Sequence, residues 1–123
     1  RLSALDNVMM PLEILGAKDA KERSLKALDE VGLSKRTGHV PHQLSGGEKQ
    51  RVAIARAMVK APSILFADEP TGNLDQSSTD NILELLLGIN KQTKTTLVVV
   101  THDQQLASRS DMVFELQEGK LKC

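Results

Sequence analysis

The sequence has few aromatic residues, a single cysteine and no excess charge of either sign. It contains two phenylalanines and no tryptophan or tyrosine, which argues against an aromatic stacking surface for single-stranded nucleic acid. The lone cysteine, Cys123, excludes an internal disulfide and is typical of a reducing compartment. Lysine and arginine total 16 and so do aspartate and glutamate, so net charge provides no general attraction to nucleic acid or anionic lipid.

Long apolar runs are also absent. The apolar runs, such as residues 85–87 and 97–100, fall far short of the roughly 20 residues that a membrane-spanning helix needs. The chain of 123 residues is shorter than an average domain of roughly 150 residues. It also starts with Arg1 instead of methionine, so we expect it to be part of a longer protein.

The first half of the sequence is predicted to be helical. Ser3 and Asp6 have the spacing of a capping box at a helix start. Pro11 follows within the same segment, and a proline inside a helix removes a hydrogen bond and clashes with the preceding turn. We therefore expect this helix to end or kink near Met10.

A second, amphipathic helix is predicted over residues 18–31, followed by Gly32 as its stop. Its apolar stripe comprises Leu25, Leu28 and Val31. Residues 33–44 contain glycine, proline and two histidines, which is typical of a connection. Neither His39 nor His42 has a partner at metal-ligand spacing, so both are expected to be solvated.

The second half alternates predicted strands with predicted helices, which indicates an α/β fold with a parallel sheet. The apolar runs 63–67 and 96–101 are typical of strands buried on both faces. Residues 76–90 predict a helix whose apolar side comprises Ile82, Leu83, Leu86 and Ile89. Residues 103–110 predict a short helix, and residues 112–122 predict a hairpin.

The first motif that could bind a ligand is a glycine-bearing helix start. It has the sequence Leu-Ser-Gly-Gly-Glu-Lys-Gln-Arg at residues 44–51. Ser45 is a good N-cap residue, and Glu48 completes a capping box. Unpaired N–H groups at a helix N-terminus attract anions, and Gly46 and Gly47 let a phosphate approach the backbone closely. Ser-Gly-Gly alone is better explained by a capped helix after a Gly-Gly turn, but the whole motif is far more specific.

The predicted strand ends carry the next candidates. Asp68 and Glu69 follow the first strand, at the edge where ligands of open α/β sheets bind. Asp68 is suited to hold Mg²⁺, and Glu69 to orient or deprotonate a water molecule. His102 follows the second strand, where it can hydrogen-bond a phosphate oxygen. A solvated acidic turn explains an isolated Asp-Glu pair about equally well, and a lone histidine after a strand is more often a turn residue.

Taken in order, these motifs resemble those of the ATP-binding cassette (ABC) transporter ATPases. Residues 44–50 match the signature motif, residues 64–69 the Walker B strand, residues 73–75 the D-loop and His102 the switch histidine. Residues 66–75 further resemble the lipoprotein-releasing, macrolide-export and cell-division (FtsE-like) group. No Walker A loop of the form G-x-x-x-x-G-K-[ST] occurs in the sequence, so the chain resembles the C-terminal half of a cassette.

The resemblance implies a partial P-loop NTPase (RecA-like) core with a parallel sheet at residues 60–123, with the N-terminal Walker A half absent. Residues 1–59 would be the ABC helical subdomain, including the signature helix. The implied partners are ATP, a second ABC ATPase subunit in a head-to-tail homodimer and membrane permease subunits, with no nucleic acid. The implied location is the cytoplasmic side of the bacterial inner membrane, as a peripheral subunit.

The resemblance also implies roles for individual residues. In this family ATP lies between the P-loop of one subunit and the signature helix of the other. Glu69 is then expected to act as a base on water, His102 to stabilise the transferring phosphoryl group, and Asp68 to position Mg²⁺. Nucleotide-binding residues are expected to be Ser45, Gly46, Gly47, Glu48 and Asp75.

More than one function fits the sequence. The first is an ATPase subunit that powers export or lipoprotein release. The second is a catalytically silent module that donates its signature motif to a partner ATPase. A P-loop encoded upstream would favour the first over the second. A third hypothesis is a cassette that acts on DNA or ribosomes. The neutral charge and the lack of insertions or long coiled coils in these residues argue against it.

Overall fold

The fold begins with helices and continues with strands that alternate with helices, as the sequence predicts. The computed structural model describes residues 1–123. Its elements are α1 (Ala4–Ile14), α2 (Ala20–Glu30), a 3-10 turn (Pro41–Gln43), α3 (Gly46–Met58), β1 (Ile64–Asp68), α4 (Gln76–Thr93), β2 (Thr96–Val100), α5 (Gln104–Ser108), β3 (Glu115–Gln117) and β4 (Lys120–Lys122). The α/β prediction is therefore confirmed.

Helix α1 begins at the predicted capping box but does not stop at the proline. The Ser3 hydroxyl accepts the Asp6 N–H at 3.1 Å, and the Asp6 carboxylate accepts the Ser3 N–H at 3.0 Å. Pro11 was expected to end or kink the helix near Met10; an end there was wrong, because α1 continues past Pro11 to Ile14. Val8 and Leu12, on either side of the proline, are buried in the core. Their packing offsets the hydrogen bond that proline removes.

Helix α2 ends as predicted, but the face that it buries in the core differs from the predicted one. Gly32 adopts a φ of +79°, and its N–H donates to the Asp29 carbonyl at 2.9 Å, so it stops the helix as expected. Of the predicted stripe, Leu28 and Val31 are buried, but Leu25 is 38% exposed. The buried face instead includes the small residues Ala20, Ser24 and Ala27. Small side chains there let α2 pack closely on α1 and α3.

Strands β1 and β2 pair in parallel, with Asp68 opposite Val100, which confirms the predicted sheet. The expectation that both strands are buried on both faces was wrong. Leu65 is buried, but Phe66 is 74% and Val100 61% exposed. Successive side chains on a strand point to opposite faces of the sheet. Helix α4 packs against only one face of this sheet.

The core lies mainly among the helices. A cluster of 15 buried residues joins α1 to α4 with β1, and its fully buried large members are Val8, Leu12, Leu28, Leu33, Ile82 and Leu86. The predicted helix before β2 and the short helix after it are both present. The predicted hairpin is formed by β3 and β4, whose turn residues Glu118 and Gly119 both have positive φ. No helix combines the length and hydrophobicity that a bilayer span requires.

One buried polar atom in this core yields a stability prediction. Ser24 is fully buried and its hydroxyl has no hydrogen-bond partner. We expect Ser24→Ala in the full-length protein to leave the free energy of unfolding unchanged or to raise it by about 1 kcal/mol, because it removes an unpaired buried group. Urea unfolding followed by circular dichroism measures this change.

The contrasting variant is Leu28→Ala in the same helix. It should lower the free energy of unfolding by about 2–5 kcal/mol, because it leaves a cavity. A loss of stability in Ser24→Ala as large as that in Leu28→Ala would contradict the prediction.

Candidate functional site

The carboxyl ends of β1 and β2 bring an acid and a histidine together. Asp68 is the last residue of β1, and the Glu69 N–H donates to the Val100 carbonyl at 2.7 Å. This bond continues the pairing one residue beyond β1. The Glu69 Oε1 and His102 Nε2 atoms then lie 3.5 Å apart. The two strand-end side chains therefore face the same space.

A tight turn directs the Glu69 side chain. Its backbone has a φ of +48°, a left-handed conformation that is uncommon for residues other than glycine. The Glu69 carbonyl accepts the Gly72 N–H at 3.0 Å, and a Cβ atom at Gly72 would lie only 3.3 Å from that carbonyl oxygen. Backbone strain of this kind concentrates at functional sites. The Glu69 side chain is 40% exposed and that of His102 is fully exposed, so both are accessible to a ligand.

The start of α3 forms the capping box predicted for it. The Ser45 hydroxyl accepts the Glu48 N–H at 3.1 Å, and the Ser45 N–H donates to Glu48 Oε1 at 2.9 Å. Ser45 and Gly46 are exposed, whereas Gly47 is buried. Because the first N–H groups of a helix have no partner within the helix, this exposed end can receive an anion.

The charge of Glu48 is balanced by its neighbours. Its Oε2 atom lies 3.3 Å from Arg36 Nε. The hydrogen bond from the Ser45 backbone, with help from Arg36 and Arg51, holds the pKa of the Glu48 carboxyl below its usual value. A carboxylate engaged on both oxygens adds less repulsion toward an incoming anion than a free one would. Sequence reasoning missed Arg36, because a residue in an irregular connection has no periodic relation to its partner.

The two histidines of that connection are less free than expected. His39 is half-buried, with its Nε2 atom 3.4 Å from Arg36 Nη1. His42 is exposed, as expected, but its Nδ1 atom lies 2.7 Å from Arg1 Nη1. The first contact is local to the connection, whereas the second joins His42 to the chain start, 41 residues away, which local sequence does not predict. Neither histidine takes part in a cluster that could hold a metal ion.

The turn before α4 lies against the start of α3. Asp75 caps α4 by accepting the Ser78 N–H at 2.8 Å, and this backbone hydrogen bond lowers the pKa of the Asp75 carboxyl. A Cβ atom at Gly46 would lie 3.2 Å from Leu74 Cδ2, and one at Gly47 would lie 3.1 Å from Ser78 Oγ. Two of the predicted motifs are therefore in direct contact. No hydrogen bond or ion pair joins this group to the Glu69–His102 pair.

Magnesium is the metal that the family resemblance implies. No group of three or more histidine, cysteine, aspartate or glutamate side chains is arranged to hold a metal ion. Asp68 is exposed and offers one carboxylate at the strand end. Mg²⁺ commonly binds one or two carboxylates together with water and phosphate oxygens. Asp68 fits this mode as a single protein ligand beside a nucleotide, but does not by itself form a complete site.

Comparison with known proteins identifies the family. The sequence model of the family described as ABC transporter matches residues 1–72. The chain belongs to the ABC transporter family. It is 54% identical, over 121 residues, to the lipoprotein-releasing system ATP-binding protein LolD of Legionella pneumophila (strain Paris). It is 51% identical, over 123 residues, to the uncharacterized ABC transporter ATP-binding protein YbbA of Escherichia coli (strain K12).

The chain spans about half the length of the curated relatives it matches. The alignments cover 97% of the chain and 53% of LolD, and 98% of the chain and 54% of YbbA. The dimeric bacterial ABC transporter cassette MJ0796 superimposes with a TM-score of 0.82 at 38% identity, over 99% of this chain and 55% of that one. These ABC relatives confirm the predicted fold class. The domain boundary between residues 59 and 60 stays a prediction.

Protonation of Glu48 should weaken the cap of α3. A carboxylate whose pKa is lowered by folding stabilises the folded state above its unfolded pKa of about 4.3, and this contribution is lost as the pH falls through the folded value. Wild type should therefore lose more stability between pH 6 and an acidic pH near or below 4 than Glu48→Gln does. Urea unfolding of both full-length proteins across this range measures the difference.

The control is Glu22→Gln, because Glu22 is exposed on α2. Its stability should follow the wild-type pH dependence throughout. Parallel pH profiles for wild type and Glu48→Gln would contradict the assignment of a charged cap.

Proposed function

We propose that the protein is the ATP-hydrolysing, nucleotide-binding subunit of an ABC transporter that serves export or lipoprotein release. The observation that carries this proposal is the Glu69–His102 pair, 3.5 Å apart at the carboxyl ends of two parallel strands. The chain's membership of the ABC transporter family and its similarity to a lipoprotein-releasing system ATP-binding protein support the same function. We assign residues 1–59 to the helical subdomain and residues 60–123 to the core.

The strand-end pair is suited to phosphoryl transfer to water. The Glu69 carboxylate orients a water molecule and accepts its proton as the water oxygen bonds to the γ-phosphorus of ATP. The bond between that phosphorus and the β–γ bridging oxygen breaks, which releases ADP and inorganic phosphate. The exposed His102 imidazole donates a hydrogen bond to the transferring phosphoryl group. Its distance from Glu69 lets both side chains act on one phosphorus centre.

The start of α3 is suited to a phosphate carried by a second subunit. We assign nucleotide contacts to Ser45, Gly46 and Gly47, because the N–H groups of this exposed helix end and the positive end of the helix dipole favour an anion. Glu48 supports the site through the Ser45 cap. Asp75 would link the two nucleotide sites across a head-to-tail dimer. The dimeric structure of the cassette MJ0796, which is 38% identical to this chain, supports association of two subunits.

The nucleotide is proposed to be ATP bound with Mg²⁺. Asp68 would hold the ion, which neutralises phosphate charge when it is bound. The remaining proposed partners are membrane permease subunits, which would place the protein on the cytoplasmic side of the bacterial inner membrane. The neutral overall charge gives no support to a nucleic-acid partner.

Glu69→Gln tests the proposed base. In the full-length protein we expect ATP turnover to fall by about a hundredfold or more, because the amide cannot accept the proton. ATP-driven dimerisation should persist, because the amide keeps the size and hydrogen-bonding capacity of the side chain. Phosphate release and size-exclusion chromatography in MgATP measure the two properties.

Glu22→Gln, which lies on the exposed side of α2, is the matched control and should hydrolyse ATP normally. Turnover by Glu69→Gln at the wild-type rate would refute the base assignment. A wild-type protein that hydrolyses no ATP but stimulates a partner ATPase would instead support the silent, signature-donating module.

Gly46→Asp tests the proposed anion-binding helix start. A carboxylate there repels phosphate, and its Cβ atom would press on Leu74 Cδ2 at 3.2 Å. We expect dimerisation in MgATP to be lost and ATPase activity to fall by about tenfold or more. Ser45→Arg should act similarly through bulk. Gly46→Asn separates the effect of charge from that of size.

The control is Gly38→Asp. Gly38 is exposed, and a Cβ atom there would meet no other atom within 4 Å. This variant should keep normal dimerisation and turnover. Unchanged ATPase activity in both Gly46→Asp and Ser45→Arg would count against the role of this helix end.

A further inference from the structure

We propose that Ser78 is a positioning residue that sets the spacing between the start of α3 and the start of α4. Through it, the phosphate-facing residues of α3 and the Asp75 turn would move as one unit. The inference rests on the proposed function, since it concerns how two of the proposed nucleotide-contacting segments are held together. It adds a residue that none of the sequence motifs includes.

The contact between the two segments extends over two positions. A Cβ atom at Gly47 would lie 3.1 Å from Ser78 Oγ and 3.2 Å from Ser78 Cβ, and one at Gly46 would lie 3.2 Å from Leu74 Cδ2. These distances are shorter than ordinary van der Waals contact. Neither glycine has a positive φ, so backbone conformation does not require glycine at either position. Each glycine instead leaves room for a side chain of the neighbouring segment.

Ser78 is itself held firmly. Its N–H donates to Asp75 Oδ1 at 2.8 Å, so the N-cap of α4 determines where the Ser78 side chain lies. The start of α3 is anchored in turn by Arg36, which contacts Glu48 at 3.3 Å. Ser78 therefore connects the Asp75 cap to the Ser45–Glu48 cap.

The Ser78 side chain acts by its volume. Its hydroxyl forms no hydrogen bond within the protein, since the only hydrogen bond of Ser78 to a side chain uses its backbone N–H. Removing the side chain should loosen the contact, and adding a methyl group at Gly47 should force the two segments apart. Because the two changes have opposite steric effects, they should compensate for each other.

The test is a steric exchange in the full-length protein. We expect Gly47→Ala to lower both MgATP-driven dimerisation and ATPase activity by about tenfold, and Ser78→Gly to lower them by a smaller factor. The double variant adds a methyl group at Gly47 and removes the larger hydroxymethyl group of Ser78, and should recover to within about threefold of wild type. Dimerisation is measured in the Glu69→Gln background, and turnover in the active protein.

Two controls account for the helix propensities of alanine and glycine. Gly88→Ala adds a methyl group on α4 where no atom lies within 4 Å, and Ser77→Gly removes an exposed side chain from the same first turn as Ser78. Neither control should change dimerisation, and Ser77→Gly should not rescue Gly47→Ala. Urea unfolding of all variants shows that each is folded and gives a second double-mutant cycle for the same contact.

The outcomes distinguish this inference from the proposed function. Rescue of Gly47→Ala by Ser78→Gly, with non-additive effects on unfolding, supports the positioning role. Wild-type activity in Gly47→Ala, or no rescue in a folded double variant, overturns it while leaving the proposed function intact. Absence of ATPase activity in wild type would contradict the proposed function. In that case the unfolding measurements still test the positioning role of Ser78, and additive effects of the two substitutions on the free energy of unfolding would overturn it.

Discussion

The in-register parallel pairing of β1 with β2 is the constraint on which the strand-end site depends. Because Asp68 lies opposite Val100, the residues that follow each strand emerge side by side. The bond from the Glu69 N–H to the Val100 carbonyl extends this order to the first residue of the turn. A shift of one position in the register would exchange the faces of the side chains and separate the Glu69 carboxylate from His102.

Helix ends form the second part of the proposed site, and they depend on local hydrogen bonds. Ser45 and Glu48 cap each other at α3, and Asp75 caps α4 through the Ser78 N–H. These caps fix the backbone at two segments that also touch each other through Gly47 and Ser78. A capped helix end in contact with a second capped end has little freedom to tilt independently.

Within these 123 residues, most of the buried side chains belong to helices, and the proposed catalytic pair lies outside the buried cluster. Most of the buried core comes from the helices, and β1 contributes a single buried residue, Leu65. The candidate catalytic pair is at the edge of a sheet whose outer face remains exposed at Phe66 and Val100.

The sequence alone determined the local structure and the identity of the motifs. Capping at Ser3 and Ser45, the stop at Gly32, the alternation of strands and helices and the pairs of polar residues after the strands all follow from short-range rules. Only the tertiary structure decided which segments distant in the sequence contact each other. In that structure α1 continues past Pro11, and Leu25 is exposed. Arg36 contacts Glu48, and Ser78 lies next to Gly47. Each depends on packing between segments distant in the sequence, which local propensity does not encode.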